Sequence, residues 1–334
     1  RIGPVMGSAV SGFLGIFATY GLATLMSEEN CEERRGCTIA FYTDGETFGA
    51  LDEALAKARH RGIHTVVRIV PDAAMQSPHK WERISAAQHL QVLMAARGPG
   101  AFHVMMPDQV YNDRFFPRLL EVAKHHKNIV HNGLNAHRDC AVDLQHYRQS
   151  DGSLSIPARD LNDIAWKHRH GRMQVIDAAA LEAERLVNGH YHLWRARDRI
   201  LMFGPHNSLS YLSHEACEKL RKQMVEAEKP LTGTMDVWVQ RLCDTDFHVP
   251  QIDDEISVIG FEEAENQPPR TPDASRQEYF SWCWAQIRYH DPHLIYYREP
   301  MANLPVSIDE TAPPIEVVMQ HQHAFVEQML ANKV

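Results

Sequence analysis

An acidic motif follows a short apolar segment in the first half of this chain. Phe102–Met106 is apolar and stops at Pro107-Asp108, Asp113 follows five residues later, and an apolar pattern of helical period begins at Phe115. This order predicts a buried strand with an acid at its carboxyl end, followed by a helix. Such a carboxylate can hold Mg²⁺ or Mn²⁺ against a diphosphate, because these ions take oxygen ligands and share substrate phosphates.

Two further acids follow predicted strands, Asp44 after Cys37–Tyr42 and Asp72 after His64–Val70. Open α/β sheets bind ligands at the carboxyl ends of their strands, so these acids and Asp108 are candidates for one site. Neighbouring carboxylates repel one another unless a cation or hydrogen-bond donors lie among them. Asp also caps helices and turns well, and this structural role is an equal alternative for Asp44 and Asp72.

Histidine is abundant, with 21 residues. In the segment His190–Trp194, a strand would point His190 and His192 to the same face, where both could bind one ion. His206 or His214 could supply the third ligand of a zinc site. The more common alternative is that these side chains are exposed to solvent or hydrogen-bonded within the fold.

Composition narrows the class of protein. The 334 residues are 44% hydrophobic and 23% charged, which suits one large or two modest globular domains. A net charge of −9 without a dense Lys/Arg stripe argues against nucleic-acid binding. The six cysteines are scattered without a Cys-x-x-Cys pair, which excludes a disulfide framework and favours a reducing cytoplasm.

The segment Ile2–Met26 contains no charged residue. Its many Gly and Ser residues make it too polar for a typical membrane span, and it lacks a signal-peptide cleavage site. We therefore expect Ser8–Leu25 to be a buried helix, with a membrane helix as the alternative. Because the sequence starts at Arg1, we expect the natural N-terminus to lie upstream. The apolar side chains expected to face inward are Phe13, Phe17, Leu22 and Leu25.

Strand-like and helix-like segments alternate through the first half of the chain. The predicted strands are Cys37–Tyr42, His64–Val70, Phe102–Met106 and Asn128–Asn132. The predicted helices are Phe48–Arg61, Trp81–Arg97 and Arg114–His126. This alternation predicts an α/β fold with a mostly parallel, Rossmann-like sheet flanked by helices.

The second half is less regular and predicts a mixed α+β region. Its predicted helices are Ser155–His168, Ala178–Val187, His214–Ala227 and Val317–Asn332. Its strand-like pieces lie within Tyr191–Leu212 and at Asp254–Gly260. The Pro-rich segment Asn266–Ala274 is expected to be a surface linker.

Three segments of the chain resemble glycosyltransferases of the GT-A type: Ile39–Glu46, His103–Phe116 and Asn128–Asn135. The chain is also similar to uncharacterised bacterial glycosyltransferase-like proteins, through the segment Phe203-Gly204-Pro205-His206. The resemblance implies a GT-A-like fold and a nucleotide-sugar donor.

The same resemblance assigns roles to individual residues. It implies that Asp108 binds a divalent metal, Mn²⁺ or Mg²⁺, together with the donor diphosphate, and that Asp44 holds the nucleoside. His206 would complete the metal shell. Since Gln109 follows Asp108, the Asp-x-Asp spacing of the family motif is missing. The acidic metal ligands are then Asp108 with Asp113, or Asp108 alone.

Transfer of a sugar to a hydroxyl also needs a base that accepts the hydroxyl proton. Asp236 is the predicted catalytic acid/base, with helix capping as an equal alternative, and the cluster Asp253–Glu255 is a second candidate. The chain has no Walker loop, Gly-x-Gly-x-x-Gly fingerprint or Gly-x-Ser-x-Gly elbow. Dehydrogenase and serine hydrolase functions therefore have little support.

The sequence thus predicts a metal-assisted transfer of a sugar from a nucleotide sugar to a carbohydrate or other hydroxyl acceptor. Residues 1–135 would form the nucleotide-sugar-binding half and residues 136–334 the acceptor-binding half, within one continuous globular unit. No nucleic-acid partner and no transmembrane segment are expected, and peripheral membrane contact and oligomeric state stay open. The alternatives are a metal-dependent hydrolase using His190, His192 and His206, and a non-catalytic ligand-binding protein on the same scaffold.

Overall fold

The computed structural model of this chain describes most of the first 170 residues and separate segments of the remainder. The described residues are 2–3, 11–32, 37–70, 80–98, 100–131, 133–170, 174–176, 185–186, 192–203, 209–226, 247–248, 256–262, 274–281, 298, 300 and 302–331. Within them, no helix combines the length and hydrophobicity that crossing a bilayer requires.

Sixteen short strands are present in the described segments. In chain order they are β1 (Ile2–Gly3), β2 (Thr38–Thr43), β3 (His64–Ile69), β4 (Phe102–Val104), β5 (Gln109–Tyr111), β6 (Asn128–His131), β7 (Leu134–His137), β8 (Gln174–Ile176), β9 (Arg185–Leu186), β10 (His192–Arg195), β11 (Arg199–Phe203), β12 (Leu209–Leu212), β13 (Phe247–His248), β14 (Val258–Glu262), β15 (Ala274–Ser275) and β16 (Ala302–Pro305).

The α-helices precede, connect and follow these strands. In chain order they are α1 (Ser11–Ile16), α2 (Leu22–Leu25), α3 (Glu28–Glu32), α4 (Phe48–His60), α5 (Lys80–Ala96), α6 (Phe115–Val122), α7 (Ala141–Leu144), α8 (Ala158–Lys167), α9 (His214–Glu226) and α10 (Ile315–Ala331). A π-helical turn, Phe17–Gly21, joins α1 to α2, and 3₁₀ turns are formed by Arg138–Cys140 and Gln145–Tyr147.

The chain forms two compact units whose segments interleave along the sequence. Unit 1 contains Arg1–Val130, Leu144–Pro157 and Leu209–His248. Unit 2 contains His131–Asp143, Ala158–Ser208 and Val249–Val334. Neither unit coincides with the division at residues 135 and 136 expected from the sequence. The assignment of a donor half and an acceptor half to that division stays a prediction.

Unit 1 is built on a seven-stranded sheet of order β13-β6-β12-β4-β1-β2-β3. The pairs β4–β1, β1–β2 and β2–β3 are parallel, and β12 runs antiparallel to β4. The apolar helical pattern of α4 buries Leu51, Leu55 and Ala58 completely. On the sheet, Phe41 packs edge-on against Phe17 of the π-helical turn, with ring centroids 5.3 Å apart. The predicted, mostly parallel α/β fold is therefore confirmed.

Unit 2 contains a mixed four-stranded sheet of order β16-β11-β10-β8. Its strand β10 is antiparallel to β11 and parallel to β8. The sheet packs against an aromatic core that includes Trp194, Tyr279, Phe280 and Phe325, all at most 1% exposed. Phe325 belongs to α10, so the closing amphipathic helix, predicted as Val317–Asn332, buries its apolar face in this unit.

Three local predictions differ from the structure. The predicted strand Phe102–Met106 ends at Val104, and a second short strand, β5, follows the acidic turn. The predicted helix Ala178–Val187 is wrong at Arg185 and Leu186, which form β9 and pair with β15. Pairing with a distant segment overrides local helical pattern here. Of the expected linker Asn266–Ala274, only Ala274 is described, and it lies in β15.

The N-terminal helix prediction is confirmed over residues 11–25. Phe17, Leu22 and Leu25 are each at most 2% exposed. The expected inward position of Phe13 and the start of the helix at Ser8 lie outside the described side chains and residues. The helical run is interrupted by the π-helical turn, a feature that is often found at functional sites.

Candidate functional site

The carboxyl edge of the unit 1 sheet contains a reversal of strand order. From β1 the chain proceeds outward through β2 to β3, and then returns to β4 on the other side of β1. Successive crossovers therefore leave the sheet in opposite directions at β1, a topology in which a crevice is expected beyond the carboxyl ends of β1 and β4. In open α/β sheets, ligands bind in such a crevice.

Strand register places β2 and β4, the strands that precede Asp44 and Asp108, on either side of β1. Ile39, Ile2 and His103 form one row across β2, β1 and β4. Asp44 directly follows β2, whereas Asp108 lies in the turn that separates β4 from β5. Because adjacent strands are about 4.8 Å apart, the ends of β2 and β4 flank β1 at a separation of about 10 Å.

Asp44 is only partly satisfied by the local structure. Its side chain is 6% exposed, and its Oδ1 accepts a hydrogen bond from the Thr47 backbone N–H at 2.7 Å. Its Oδ2 is buried and has no hydrogen-bond partner among the described residues. The same is true of the neighbouring Thr43 Oγ1. The turn-capping alternative therefore accounts for one carboxylate oxygen and leaves the other unexplained.

Two adjacent buried oxygens without partners are costly. A buried polar group left unsatisfied costs about 1–3 kcal/mol, and native proteins have few of them. A ligand that donates a hydrogen bond to Asp44 Oδ2 would remove the cost at this atom. Ribose hydroxyl groups are suitable donors, since acids near the ends of Rossmann strands accept hydrogen bonds from them.

Asp108 lies half-buried in the turn between β4 and β5. The side chain of Gln109 closes this turn, because its Oε1 accepts hydrogen bonds from the Met106 N–H at 2.9 Å and the Tyr111 hydroxyl at 2.6 Å. The Gln109 N–H in turn donates to the Met106 carbonyl at 3.3 Å. Gln109 thus fixes the turn that presents Asp108.

Buried polar side chains of the first helices brace the same loop. Asn30 Nδ2 donates to the carbonyls of Thr24 at 3.1 Å and Asn112 at 2.8 Å, and its Oδ1 accepts from the Phe116 N–H at 3.1 Å. Thr24 Oγ1 accepts from the Tyr111 N–H at 3.3 Å. Asn30 therefore connects α2, the residues after β5 and the start of α6. Local sequence pattern did not identify these positioning residues, because their partners are distant in sequence.

Gly21, the last residue of the π-helical turn, approaches the acidic turn closely. A Cβ atom at this position would lie 2.8 Å from the Gln109 carbonyl oxygen, a distance that real Cβ atoms essentially never show. The backbone of the helix and the backbone next to Asp108 are therefore in contact at a point that only glycine permits.

Replacing Gly21 by Ala is expected to lower the free energy of unfolding by about 1–3 kcal/mol, since overpacking forces the backbone apart. Gly15 lies on the preceding turn of the same helical run, and a Cβ atom there would meet no other atom within 4 Å. Gly15→Ala is the matched control, and helix propensity predicts a gain of up to about 1 kcal/mol. Urea denaturation of both variants tests the contrast. If both substitutions change the free energy of unfolding equally, the close approach at Gly21 does not affect stability.

Asp113 follows β5, at the opposite end of that strand from Asp108, and has its own hydrogen-bond partners. Its N–H donates to the Ile156 carbonyl at 2.9 Å, and Ser155 Oγ lies 3.5 Å from its Oδ2. Burial, and then the charge of Glu29, raise the pKa of the Asp113 carboxyl. These contacts connect Asp113 to Ser155 and Ile156 and fit a structural role. Its role as a second metal ligand stays a prediction.

The raised pKa predicts how stability depends on pH at this position. A folded-state pKa above the unfolded value means that the folded protein binds more protons, so the contribution of Asp113 to stability falls as pH rises from the unfolded pKa through the folded pKa. Asp113→Asn should therefore raise the free energy of unfolding at pH 7, and this gain should vanish near pH 3. Denaturation curves across that range test it. A gain that persists unchanged at pH 3 would contradict this origin.

Several predicted site residues lie outside the described residues: Asp72, His190, His206, Asp236 and Asp253–Glu255. The roles of His206 in the metal shell and of Asp236 as acid/base stay predictions. Among the described residues, no group of three or more His, Cys, Asp or Glu side chains is placed to hold a metal ion.

Comparison with known proteins gave structural likenesses of low similarity. No family model and no curated protein matches the chain. A 4-diphosphocytidyl-2C-methyl-D-erythritol synthase from Anaerococcus prevotii is 10% identical, with 86% of this chain and 98% of that chain covered and a TM-score of 0.37. A nucleoside-diphosphate-sugar pyrophosphorylase from Vibrio cholerae is 9% identical, with coverage of 79% and 92% and a TM-score of 0.35.

Mouse xyloside xylosyltransferase 1 is 12% identical, with 73% of this chain and 74% of that chain covered and a TM-score of 0.32. All three TM-scores are below 0.5. The case for function therefore rests on the geometry of the carboxyl edge and not on these likenesses.

Proposed function

We propose that this chain is a transferase that binds a nucleotide sugar at the carboxyl edge of the unit 1 sheet and transfers the sugar to a hydroxyl acceptor. The observation that carries the proposal is the buried, unpartnered Oδ2 of Asp44 beside the strand-order reversal, among the residues that the structure describes. The sugar-transfer part of the proposal is supported by the sequence segments that resemble GT-A glycosyltransferases.

In this proposal Asp44 binds the nucleoside. Ribose hydroxyl groups would donate to Asp44 Oδ2, while Asp44 Oδ1 keeps its hydrogen bond to the Thr47 N–H. Because the carboxylate is charged, the hydrogen bond from a ribose hydroxyl to Asp44 Oδ2 would be stronger than one between neutral groups. The burial of Asp44 excludes competing water, so the carboxylate selects ligands that supply donors at this point.

Asp108 would face the diphosphate from the end of β4. A carboxylate and a diphosphate repel each other, so a cation between them is expected. A single half-buried carboxylate fits Mg²⁺ or Mn²⁺, which can take its other ligands from phosphate oxygens and water. Such an ion would neutralise negative charge on the departing diphosphate. Gln109 and Gly21 would keep Asp108 in place, and Asp236 is the proposed base for the acceptor hydroxyl.

A thermal-shift panel of nucleoside diphosphates and nucleotide sugars, each with Mn²⁺ or EDTA, tests the proposal. A ligand that binds only the folded state at a hundred times its Kd adds about 2.7 kcal/mol of stability, and Tm should rise by several degrees. Asp108→Asn should remove the Mn²⁺-dependent part of the shift. Glu316→Gln, at an exposed acid in the first turn of α10, is the control that should leave it intact.

Three outcomes would overturn the proposal. If no nucleotide raises Tm, the chain is not a nucleotide-sugar enzyme. That result would support the alternative of a non-catalytic ligand-binding protein. If Asp108→Asn leaves the Mn²⁺-dependent shift unchanged, Asp108 has been assigned the wrong role. Tightly bound zinc in the purified protein, together with no response to nucleotides, would instead favour the metal-dependent hydrolase.

A further inference from the structure

A pocket of about 160 Å³ opens on the face of the unit 1 sheet that α5 covers. It lies between the last two strands of the sheet, β2 and β3, and one turn of α5. The residues at alternate positions of β2 and β3 that line it point away from the face that contacts the π-helical turn. It therefore lies on the face of the sheet opposite the π-helical turn.

The inner part of the pocket is mostly apolar, with the buried side chains of Tyr42 and Gln91 as its polar groups. Ala40 of β2, Phe102 of β4 and Ala95 of α5 line it and are at most 8% exposed. Met94 adds a flexible apolar wall, and such side chains adapt their shape to a guest. The volume is close to that of an engineered apolar cavity of about 150 Å³ that binds benzene. The inner pocket thus fits one small ring.

The outer rim of the pocket carries basic groups. His64, Val66 and Arg68 alternate along β3, which is the edge strand of the sheet, and all three line the pocket. His64 Nδ1 is 2.9 Å from Thr38 Oγ1. The side chain of Arg68 is exposed and forms no hydrogen bond or ion pair with any residue that the structure describes. An unneutralised guanidinium beside an apolar pocket favours an anion with an apolar body.

We propose that this pocket binds a small aromatic monocarboxylate, with its ring between the sheet and α5 and its carboxylate at Arg68. The ring would bury apolar surface against Ala40, Ala95 and Phe102. The carboxylate would accept hydrogen bonds from the guanidinium, whose planar fork matches carboxylate geometry. The chemistry of the pocket thus combines size selection by its inner walls with charge selection at its rim.

Calorimetric titration with benzoate tests the proposal, with benzyl alcohol as a neutral probe of the same size. Benzoate should bind the wild-type protein with one-to-one stoichiometry, and its affinity should fall with added salt because Arg68 is exposed. Arg68→Met should weaken benzoate binding by about tenfold, the change expected from losing a charged hydrogen bond. It should leave benzyl alcohol binding unchanged. Arg97→Met, at an exposed arginine just after α5, is the matched control.

A substitution that fills the pocket tests whether the probes bind there and not at another surface. Ala95→Leu should abolish binding of both probes, while circular dichroism and the response to nucleotides stay as in the wild-type protein. Because Arg68 is on the surface, Arg68→Met tests the proposal even if Ala95→Leu fails to fold. The proposal is wrong if benzoate does not bind at millimolar concentration, if Arg68→Met binds it as well as Arg97→Met does, or if a folded Ala95→Leu protein still binds it.

Discussion

Asp44→Asn is expected to weaken nucleoside diphosphate binding by roughly tenfold to a hundredfold, the range expected for losing a hydrogen bond to a charged group of about 1.5–3 kcal/mol. The substitution is conservative for the fold, because an amide oxygen can still accept the hydrogen bond from the Thr47 N–H. It also removes a buried negative charge with one oxygen that has no partner among the described residues. Without ligand the variant should therefore be at least as stable as the wild-type protein.

This combination of weaker binding and undiminished stability distinguishes a ligand-binding role from a capping role. Binding is measured by titration with the nucleotide that gives the largest thermal shift, and stability by urea denaturation. Asp52→Asn is the control, since Asp52 is an exposed acid on α4 that pairs with Arg59. A loss of stability in Asp44→Asn with unchanged nucleotide affinity would show that Asp44 serves only the turn before α4.

Asn30→Ala is expected to lower the free energy of unfolding by about 3 kcal/mol. The substitution removes three buried hydrogen bonds and leaves the Phe116 N–H and the carbonyls of Thr24 and Asn112 without this partner. Each lost hydrogen bond costs about 1 kcal/mol, and a buried group left unsatisfied costs more. Since these groups flank the turn that presents Asp108, nucleotide affinity should fall as well.

The control for Asn30 is Asn162, another fully buried asparagine, in unit 2. Its Nδ2 donates one hydrogen bond, to the Pro305 carbonyl at 2.9 Å. Asn162→Ala should cost less stability than Asn30→Ala and should leave nucleotide affinity unchanged. If the two variants lose equal stability, or if nucleotide affinity is the same in both, Asn30 does not position the acidic loop.

The local sequence pattern was sufficient to predict several of the strands and helices around the candidate site. Alternating strands and amphipathic helices predicted β2, β3, α4 and α5 to within about a residue or two at each end. The helix α4 buries a regular apolar face and β2 is a continuous buried run, so residue pattern identifies both. The short strand β5 was missed because three residues after Pro107-Asp108 are too few to show a period. The strand β9 was missed because its pairing partner, β15, is far away in sequence.

The sequence by itself determined that acids follow the strands of an α/β sheet, because residue types and periodicity are local properties. Only the tertiary structure decided that β2 and β4, the strands before Asp44 and Asp108, flank β1 where strand order reverses, since register depends on pairing between distant segments. It also decided that Asp44 Oδ2 is buried without a described partner, and that Asn30 and Gly21 hold the loop of Asp108. Burial and hydrogen bonding of this kind arise from packing between segments about 80 or more residues apart, which no local pattern records.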